Sequence, residues 1–416
     1  MARSGADVWA ASEDLIEGRT VIDSHHPVSI ATGATLCEVD DRVAFVESFA
    51  NAVAVRDSGH LGLVDAGSPL HADAIVGEVR SWTADPLRVA VYTHGHVDHI
   101  YGVARFEAEG NGDAHVIAHE AVTRRFDRYE LTAGYNGLIN QRQFQLPAPY
   151  FPGDYRYPDE TYVDSTTAVV GTLPLELRHD RGETDDATWV WLPESRAVAT
   201  GDLFIWASPN CGNPQKVQRY CDEWAAALRS MADLEPEFLL PGHGLPIAGA
   251  DRVRRALTDT ARYLQSLFDQ TIDLMNEGAR LDDIIHTVTA PADLVDRPYL
   301  QPVYDEPEFV VRNIWRLYGG WYDGNPARLK PAPDSAVAAE VAALAGGVMV
   351  LAERALGLAE SGDHRLAGHL IEYATLAAPE DPEVRAIRAR VFGERASVER
   401  STMARGVFTW AADHAT

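Results

Sequence analysis

The sequence predicts an α/β chain that turns wholly α-helical towards its C-terminus. Three observations carry that expectation. Residues 1–250 alternate short β-rich runs with turn punctuation. At the end of one such run stands a dense cluster of histidine and aspartate, T-H-G-H-V-D-H at 93–99. From 331 onward, alanine-rich stretches with helical spacing replace the strands. At 416 residues the chain is too long for one ordinary domain. The changes of texture divide it into 1–250, a helix and aromatic-rich connector over 251–330, and an α-helical domain over 331–416.

The strand candidates follow in order. V-A-F-V at 43–46 and A-V-A-V at 52–55 come first. H-L-G-L-V at 60–64 runs into D-A-G, a strand feeding a turn. Residues 71–82 have helical spacing, and 87–92 is the strand that delivers Thr93 and the histidine cluster. Residues 116–118, 173–177, 188–192, 197–200 and 238–240 continue the series, the last just before P-G-H-G. The segment 133–165, rich in Tyr, Pro and Gly, reads as a long loop or lid. Residues 251–276 place Val253, Leu257, Leu264, Leu267, Phe268, Ile272 and Met275 on one helical face, with Gly278 as the stop. An aromatic-rich connector covers 299–325. Beyond it, S-G-D at 361–363 and A-P-E-D-P at 378–382 punctuate the helices, and 350–396 has the form of a single helical hairpin.

Composition excludes some partners. A formal net charge of −26, with no Lys/Arg run to offset it locally, repels nucleic acid and anionic membranes. No stretch of ~18 apolar residues exists to span a bilayer. Cys37, Cys211 and Cys221 form no C-x-x-C pair and cannot all be bridged, which fits a reducing compartment. The N-terminus lacks the apolar run of a secretion signal. A soluble cytoplasmic protein is expected.

Imidazole and carboxylate are the usual nitrogen and oxygen ligands of zinc and similar ions. In H-x-H-x-D-H at a strand end, His94 and His96 can reach one ion while Asp98 and His99 turn towards a second. A two-ion site needs further ligands from later strand ends. Three candidates occur in order: Glu183 in D-R-G-E-T, Asp202 in A-T-G-D-L-F and His243 in L-P-G-H-G. Each alone could be an ordinary turn residue; together, each in a glycine-containing turn, they point to one centre.

H-G-H-V-D-H, G-E-T, T-G-D and P-G-H-G in this order resemble the metallo-β-lactamase superfamily of binuclear hydrolases. V-D-A-G at 64–67 is similar to the early turn of that fold, with Asp65 supporting the metal loop. The resemblance implies an αββα sandwich for residues 1–250. The usual third ligand there is a histidine, and Glu183 departs from it in the manner of the alkyl sulfatase branch. L-T-A-G-Y-N-G at 131–137, Y-G-G-W-Y-D-G-N-P-A at 318–327 and the segment from about 335 to 414 resemble the same branch, the last its helical dimerisation domain, which implies a homodimer. Three departures remain. That branch bridges its metals with a glutamate where this chain has Asp202. No lipid-carrier-like domain follows the helices. The arginine expected to grip sulfate is not evident, leaving Lys216 and Arg219 as the cations of 203–220.

The resemblance implies that His94, His96 and Glu183 hold one ion, that Asp98, His99 and His243 hold the other, and that Asp202 bridges them. Asp98 and Asp202 then stand as the catalytic carboxylates. Two Zn ions are expected, with Mn or Fe as rivals because Glu183 hardens the first site. The reaction implied is hydrolysis of an ester, most simply a sulfate ester of a hydrophobic or amphiphilic alcohol, by a metal-activated hydroxide. A carboxylic ester, lactone or thioester hydrolase on the same scaffold is the alternative, and a non-catalytic helical adaptor a third reading. Asn210, Lys216 and Arg219 are candidates to hold an anionic head. Trp206 and Tyr299, with Phe204, Tyr304, Trp315 and Trp321, could wall an apolar tail, or equally form an inter-domain core. His179 could support the centre or serve as an alternative ligand. His119 reads as a packing residue and Cys211 as a small buried thiol.

Overall fold

The computed structural model describes residues 4–22, 33–110 and 113–414. Helix α1 (Gly5–Ile16) opens on a capping box, in which Ser4 and Asp7 satisfy each other's backbone N–H groups. Four apolar runs then form an antiparallel meander: β1 (Thr35–Glu38), β2 (Val43–Glu47), β3 (Ala52–Asp57) and β4 (His60–Val64). The Ser58-Gly59 turn between β3 and β4 has φ of 51° and 75°, the backbone a two-residue hairpin requires. Beyond β4 the pairing becomes parallel, which demands crossovers. Helix α2 (Ala72–Trp82) leads into β5 (Leu87–Val91), and α3 (Gly102–Glu107) into β6 (His115–His119). After α4 (Ala121–Leu131) and α5 (Ala133–Phe144), β7 (Glu160–Tyr162) completes a seven-stranded sheet in the order β1 to β7.

The second sheet has six strands. β8 (Ser165–Val170), β9 (Leu173–His179), β10 (Thr188–Leu192) and β11 (Ala197–Ile205) are antiparallel neighbours. Helix α6 (Cys221–Ala232) crosses over to β12 (Phe238–His243), parallel to β11, and β13 (Ile247–Ala248) closes the edge. The two sheets share one core: Phe45, Val53 and Val64 from the first and Val170, Leu175 and Val198 from the second belong to a single buried cluster. Strands β2 and β10 are buried along their whole length, and α2 packs on β2. Helix α7 (Ala250–Asn276) adds Val253, Leu257, Leu264 and Leu267 to that core, as its spacing predicts. Helices α8 (Leu281–Thr287) and α9 (Pro307–Gly319) pack on one another, and α9 on α7. The layers are therefore α, β, β, α, followed by an all-helical region.

The chain divides into two compact units, 1–133 with 152–320, and 134–151 with 321–416. The change of texture at 250 is thus not a structural boundary: α7, α8 and α9 belong with the sandwich, because the apolar face of α7 is buried on it. The second unit contains α10 (Pro326–Leu329), α11 (Asp334–Ala345), α12 (Val348–Glu360), α13 (His364–Ala377), α14 (Pro382–Val398) and α15 (Thr402–Asp413). Asp363, Asp381 and Ser401 cap α13, α14 and α15 through their side chains, so S-G-D and P-E-D-P do mark helix starts. Ala355, Ile371, Ala374, Val384 and Val391 form its core.

One expectation is corrected here. Residues 133–165 are not a single loop, since α5 occupies 133–144. The glycines at 134 and 137 suggest a loop, but Leu138 to Phe144 contains no proline and is helix-compatible. The prolines at 147, 149 and 152 fall only after the helix ends. The segment is fastened within the second unit by Gln145, whose Nε2 donates to the Gly406 carbonyl at 2.8 Å. Among the described residues no single helix is long and apolar enough to cross a membrane.

Candidate metal centre

The centre is built at the strand ends of the sandwich, beginning with the loop that leaves β5. Asp65, directly after β4 and at φ 58°, holds that loop at both ends. Its Oδ1 accepts from the Thr93 amide (2.8 Å), and its Oδ2 accepts from the Thr93 hydroxyl (2.7 Å) and lies 2.8 Å from His99 Nδ1. The middle of the loop is fixed by a buried ion pair. Asp186 Oδ2 accepts from the Gly95 amide (3.1 Å) and from Nε of Arg125 (2.6 Å) on α4. A Cβ at position 95 would stand 2.8 Å from Arg125 Cδ and 3.2 Å from Asp186 Oδ2, which is why glycine separates the two histidines.

Three later segments bring the remaining donors. Glu183 lies between β9 and β10. Asp202 lies within β11, where the register against β12 slips on both sides of Gly201 and bulges the strand. His243 closes β12. A Cβ at position 242 would come within 2.2 Å of Asp202 Oδ1, so P-G-H-G admits only glycine there.

The seven side chains converge as two groups of donor atoms, His94, His96, Glu183 and Asp202 in one and Asp98, His99 and His243 in the other. In the first, His94 Nε2 lies 3.8 Å from Glu183 Oε2 and 3.7 Å from Asp202 Oδ2, and His96 Nδ1 lies 3.6 Å from Glu183 Oε2. In the second, Asp98 Oδ2 lies 3.3 Å from His243 Nε2 and 3.8 Å from His99 Nε2. Asp202 faces both, with Oδ1 3.4 Å from His99 Nε2 and Oδ2 3.5 Å from His243 Nε2. Ligand atoms about 2.0–2.1 Å from a tetrahedral ion stand roughly 3.3 Å apart, so these separations suit an ion at the middle of each group.

Orientation and electrostatics fit the same conclusion. The outer nitrogens of three rings are held by oxygen: His99 Nδ1 by Asp65, His94 Nδ1 by Thr93 (3.0 Å), and His243 Nδ1 by the Phe49 carbonyl (2.5 Å). Each therefore turns Nε2 inward. His99 Nε2, Glu183 Oε2 and Asp202 Oδ1 are buried without a hydrogen-bond partner, a costly state in a native core unless something else binds them. Burial opposes charge throughout the cluster. On His99 the carboxylates of Asp202, Asp65 and Asp98 outweigh it and raise the pKa well above the usual imidazole value. On Asp202, His243 and His99 outweigh it and lower the pKa well below the usual value. Burial pushes Glu183 up to about 8 against the pull of Arg219. A largely buried set of four imidazoles and three carboxylates, with orphaned atoms facing inward, fits divalent cations.

The other candidate residues divide. Asn210 Nδ2 donates to Glu183 Oε1, and Arg219 commits Nη1 to Glu183, at 2.8 Å from Oε1 and 2.5 Å from the carbonyl oxygen. Arg219 thus serves Glu183 rather than a substrate head. Lys216 is half-buried; burial, then Arg219, lower its pKa to about 8 against Asp98 and Glu183, which places its ammonium in the field of both carboxylates. Trp206 and Tyr299 are corrections. They are 0% and 1% exposed, they meet edge to face, and their polar tips are already satisfied by the Leu245 carbonyl and by Asp259. They are core residues of the first unit, packed in the same buried cluster as the two sheets. His179 stacks on His119 at 3.6 Å, with Nδ1 at the Ala187 carbonyl, and belongs to neither donor group. The groove of about 520 Å³ on β8 and β9, lined by Asp164, Glu176, His179, Asp180 and Trp189 among others, contains none of the seven. Sequence reasoning missed Thr93, Arg125 and Asp186. Only Thr93 carried a signal, by its adjacency to His94.

Residues 47–243 match the family model described as the metallo-beta-lactamase superfamily, and residues 280–416 that described as alkyl sulfatase dimerisation. The chain is similar to a linear primary-alkylsulfatase of Pseudomonas sp. (strain ATCC 19151), 26% identical over 356 residues, or 79% of this chain and 67% of that protein. It is similar also to an (R)-specific secondary-alkylsulfatase of Pseudomonas sp., 25% identical over 334 residues, or 73% of this chain and 50% of that protein. It therefore spans between half and two thirds of the length of these relatives. Among solved structures, a stereoselective inverting sec-alkylsulfatase from Pseudomonas sp. shares the fold, with a TM-score of 0.83 over 92% of this chain and 66% of that one at 23% identity. The two matched families follow one another along a chain whose sandwich gathers two groups of candidate metal ligands: it carries a metallo-beta-lactamase domain followed by an alkyl sulfatase dimerisation domain.

Proposed function

We propose that the protein is a binuclear metal-dependent hydrolase that cleaves sulfate esters of hydrophobic alcohols. The observation that carries this reading is the position of Asp202, one carboxylate facing both donor groups. His94, His96 and Glu183 would hold one ion, Asp98, His99 and His243 the other, and Asp202 both. Zinc is the favoured metal, since imidazole and carboxylate sets of this kind suit it. Bound there, the cations would supply Lewis acidity and bring the pKa of a water towards neutrality. The chain's own groups do the rest. Asp65, Thr93 and the Phe49 carbonyl keep the imidazoles in one orientation. Asp98, with 24% of its side chain open to solvent, is the most exposed carboxylate of the set; burial raises its pKa, but His99 and His243 outweigh that and keep it ionised. Lys216 adds positive potential in the field of Asp98 and Glu183, which would favour an anionic head.

The similarity to two alkylsulfatases supports a sulfate ester as substrate. Metal-reconstituted protein should release sulfate from a medium-chain alkyl sulfate and leave an aryl carboxylate ester, a lactone and a thioester unchanged. Turnover of a carboxylic substrate alone would replace the sulfatase reading with the esterase one. Turnover of none, with both ions bound, would leave the adaptor reading. The dimerisation match supports a homodimer assembled through the helices of 334–413.

A further inference from the structure

Glu183 brings a negative charge to a position where an imidazole would bring none, and it does so 3% exposed. Its two oxygens have different surroundings. Oε2 is the orphaned atom that faces His94 and His96. Oε1 is turned the other way, onto Arg219 Nη1 and Asn210 Nδ2. Arg219 is itself 3% exposed and is aimed by its backbone. Its amide donates to Asn313 Oδ1 (3.3 Å) on α9, and its carbonyl accepts from Asn313 Nδ2 (2.9 Å). The next amide, of Tyr220, donates to the Gly182 carbonyl (2.9 Å) and ties the same loop to the turn that carries Glu183.

We propose that Arg219 is a positioning residue: it fixes Glu183 as a one-oxygen donor and cancels its charge, so that Glu183 and Arg219 together present the first site with the charge of a neutral histidine. Asn210 shares the grip on Oε1 but cannot cancel charge, and Asn313 sets the aim. The inference rests on the two-ion reading above. It assigns to the start of the region matched as a dimerisation domain, through Asn313, a part in shaping the metal centre.

The test is zinc titration into the metal-stripped full chain, with affinity read by competition against a chromophoric chelator and fold by circular dichroism. Arg219→Met should weaken one of the two ions roughly 10- to 100-fold and spare the other. Glu183→His should also weaken that ion, since an imidazole gives the guanidinium no anion to pair with. The double variant Glu183→His/Arg219→Met should then bind at least tenfold more tightly than Glu183→His alone. Removal of Arg219 would thus harm a glutamate site and help a histidine site, a reversal that mere packing does not produce. If Arg219→Met fails to fold, Arg219→Lys, which keeps the charge but loses the planar reach, should fold and still weaken that ion. Wild-type affinity in Arg219→Met or, failing it, in Arg219→Lys would overturn the proposal, as would a double variant no tighter than Glu183→His. A wild-type chain that binds no ion would overturn this proposal and the two-ion reading together.

Discussion

At the scale of single residues, the centre depends as much on side chains that no ion would touch as on its ligands. Asp186 is the clearest case, completely buried between Arg125 and the Gly95 amide. Removing one partner of a buried pair leaves the other charged and unsolvated, which costs about 3 kcal/mol or more. Asp186→Ala should therefore lower unfolding stability by about that amount in denaturant titration. Asp185→Ala should cost under about 1 kcal/mol, because Asp185 pairs with the same arginine but is 43% exposed. Equal costs would refute the special place given to Asp186. All seven converging side chains were legible in the sequence, because each stands in a short stretch marked by glycine. Arg125 was not: it is one of 36 lysines and arginines, and its value comes from a helix packed across the fold from Asp186. Trp206 and Tyr299 were misplaced for the converse reason, since an aromatic side chain reads the same whether it lines a cleft or fills a core.

At the scale of elements, β6 and β9 end side by side in the stacked rings of His119 and His179. Burial, then the neighbouring imidazole, lower His119 to about 4, and the Ala121 amide donates to its Nδ1 (3.3 Å), which needs an unprotonated nitrogen. Between pH 6.5 and 4 the unfolded chain takes up a proton here and the folded chain does not. The contribution to stability is thus complete above pH 6.5 and is lost as pH falls towards 4. Wild type should lose about 2–3 kcal/mol more than His119→Phe between pH 7 and pH 4.5. Identical losses in the two proteins would contradict a neutral buried His119. Most strands were legible as apolar runs closed by turns, and α7 as an apolar stripe. Helix α5 was not, because its two glycines weigh towards loop while packing within the second unit decides for helix. The 251–330 connector was read as a separate region because its composition changes at 250, although contacts rather than composition decide that its residues up to 320 belong with the sandwich.

At the scale of the molecule, a strongly acidic chain has gathered three of its carboxylates into one largely buried centre. Such a centre is stable only with compensating positive charge, from Arg219 at its edge, from protonated histidines, or from cations within it. The homodimer expected from the helical region is checked by light scattering at micromolar concentration, which should give the mass of two chains; the mass of one would exclude it. The most direct measurement is the metal content of the purified full chain, by elemental analysis, for wild type and for Asp202→Ala. The account predicts two divalent ions per wild-type chain and at most one in Asp202→Ala. A wild type without bound metal after reconstitution, or an Asp202→Ala variant that retains both ions, would contradict it.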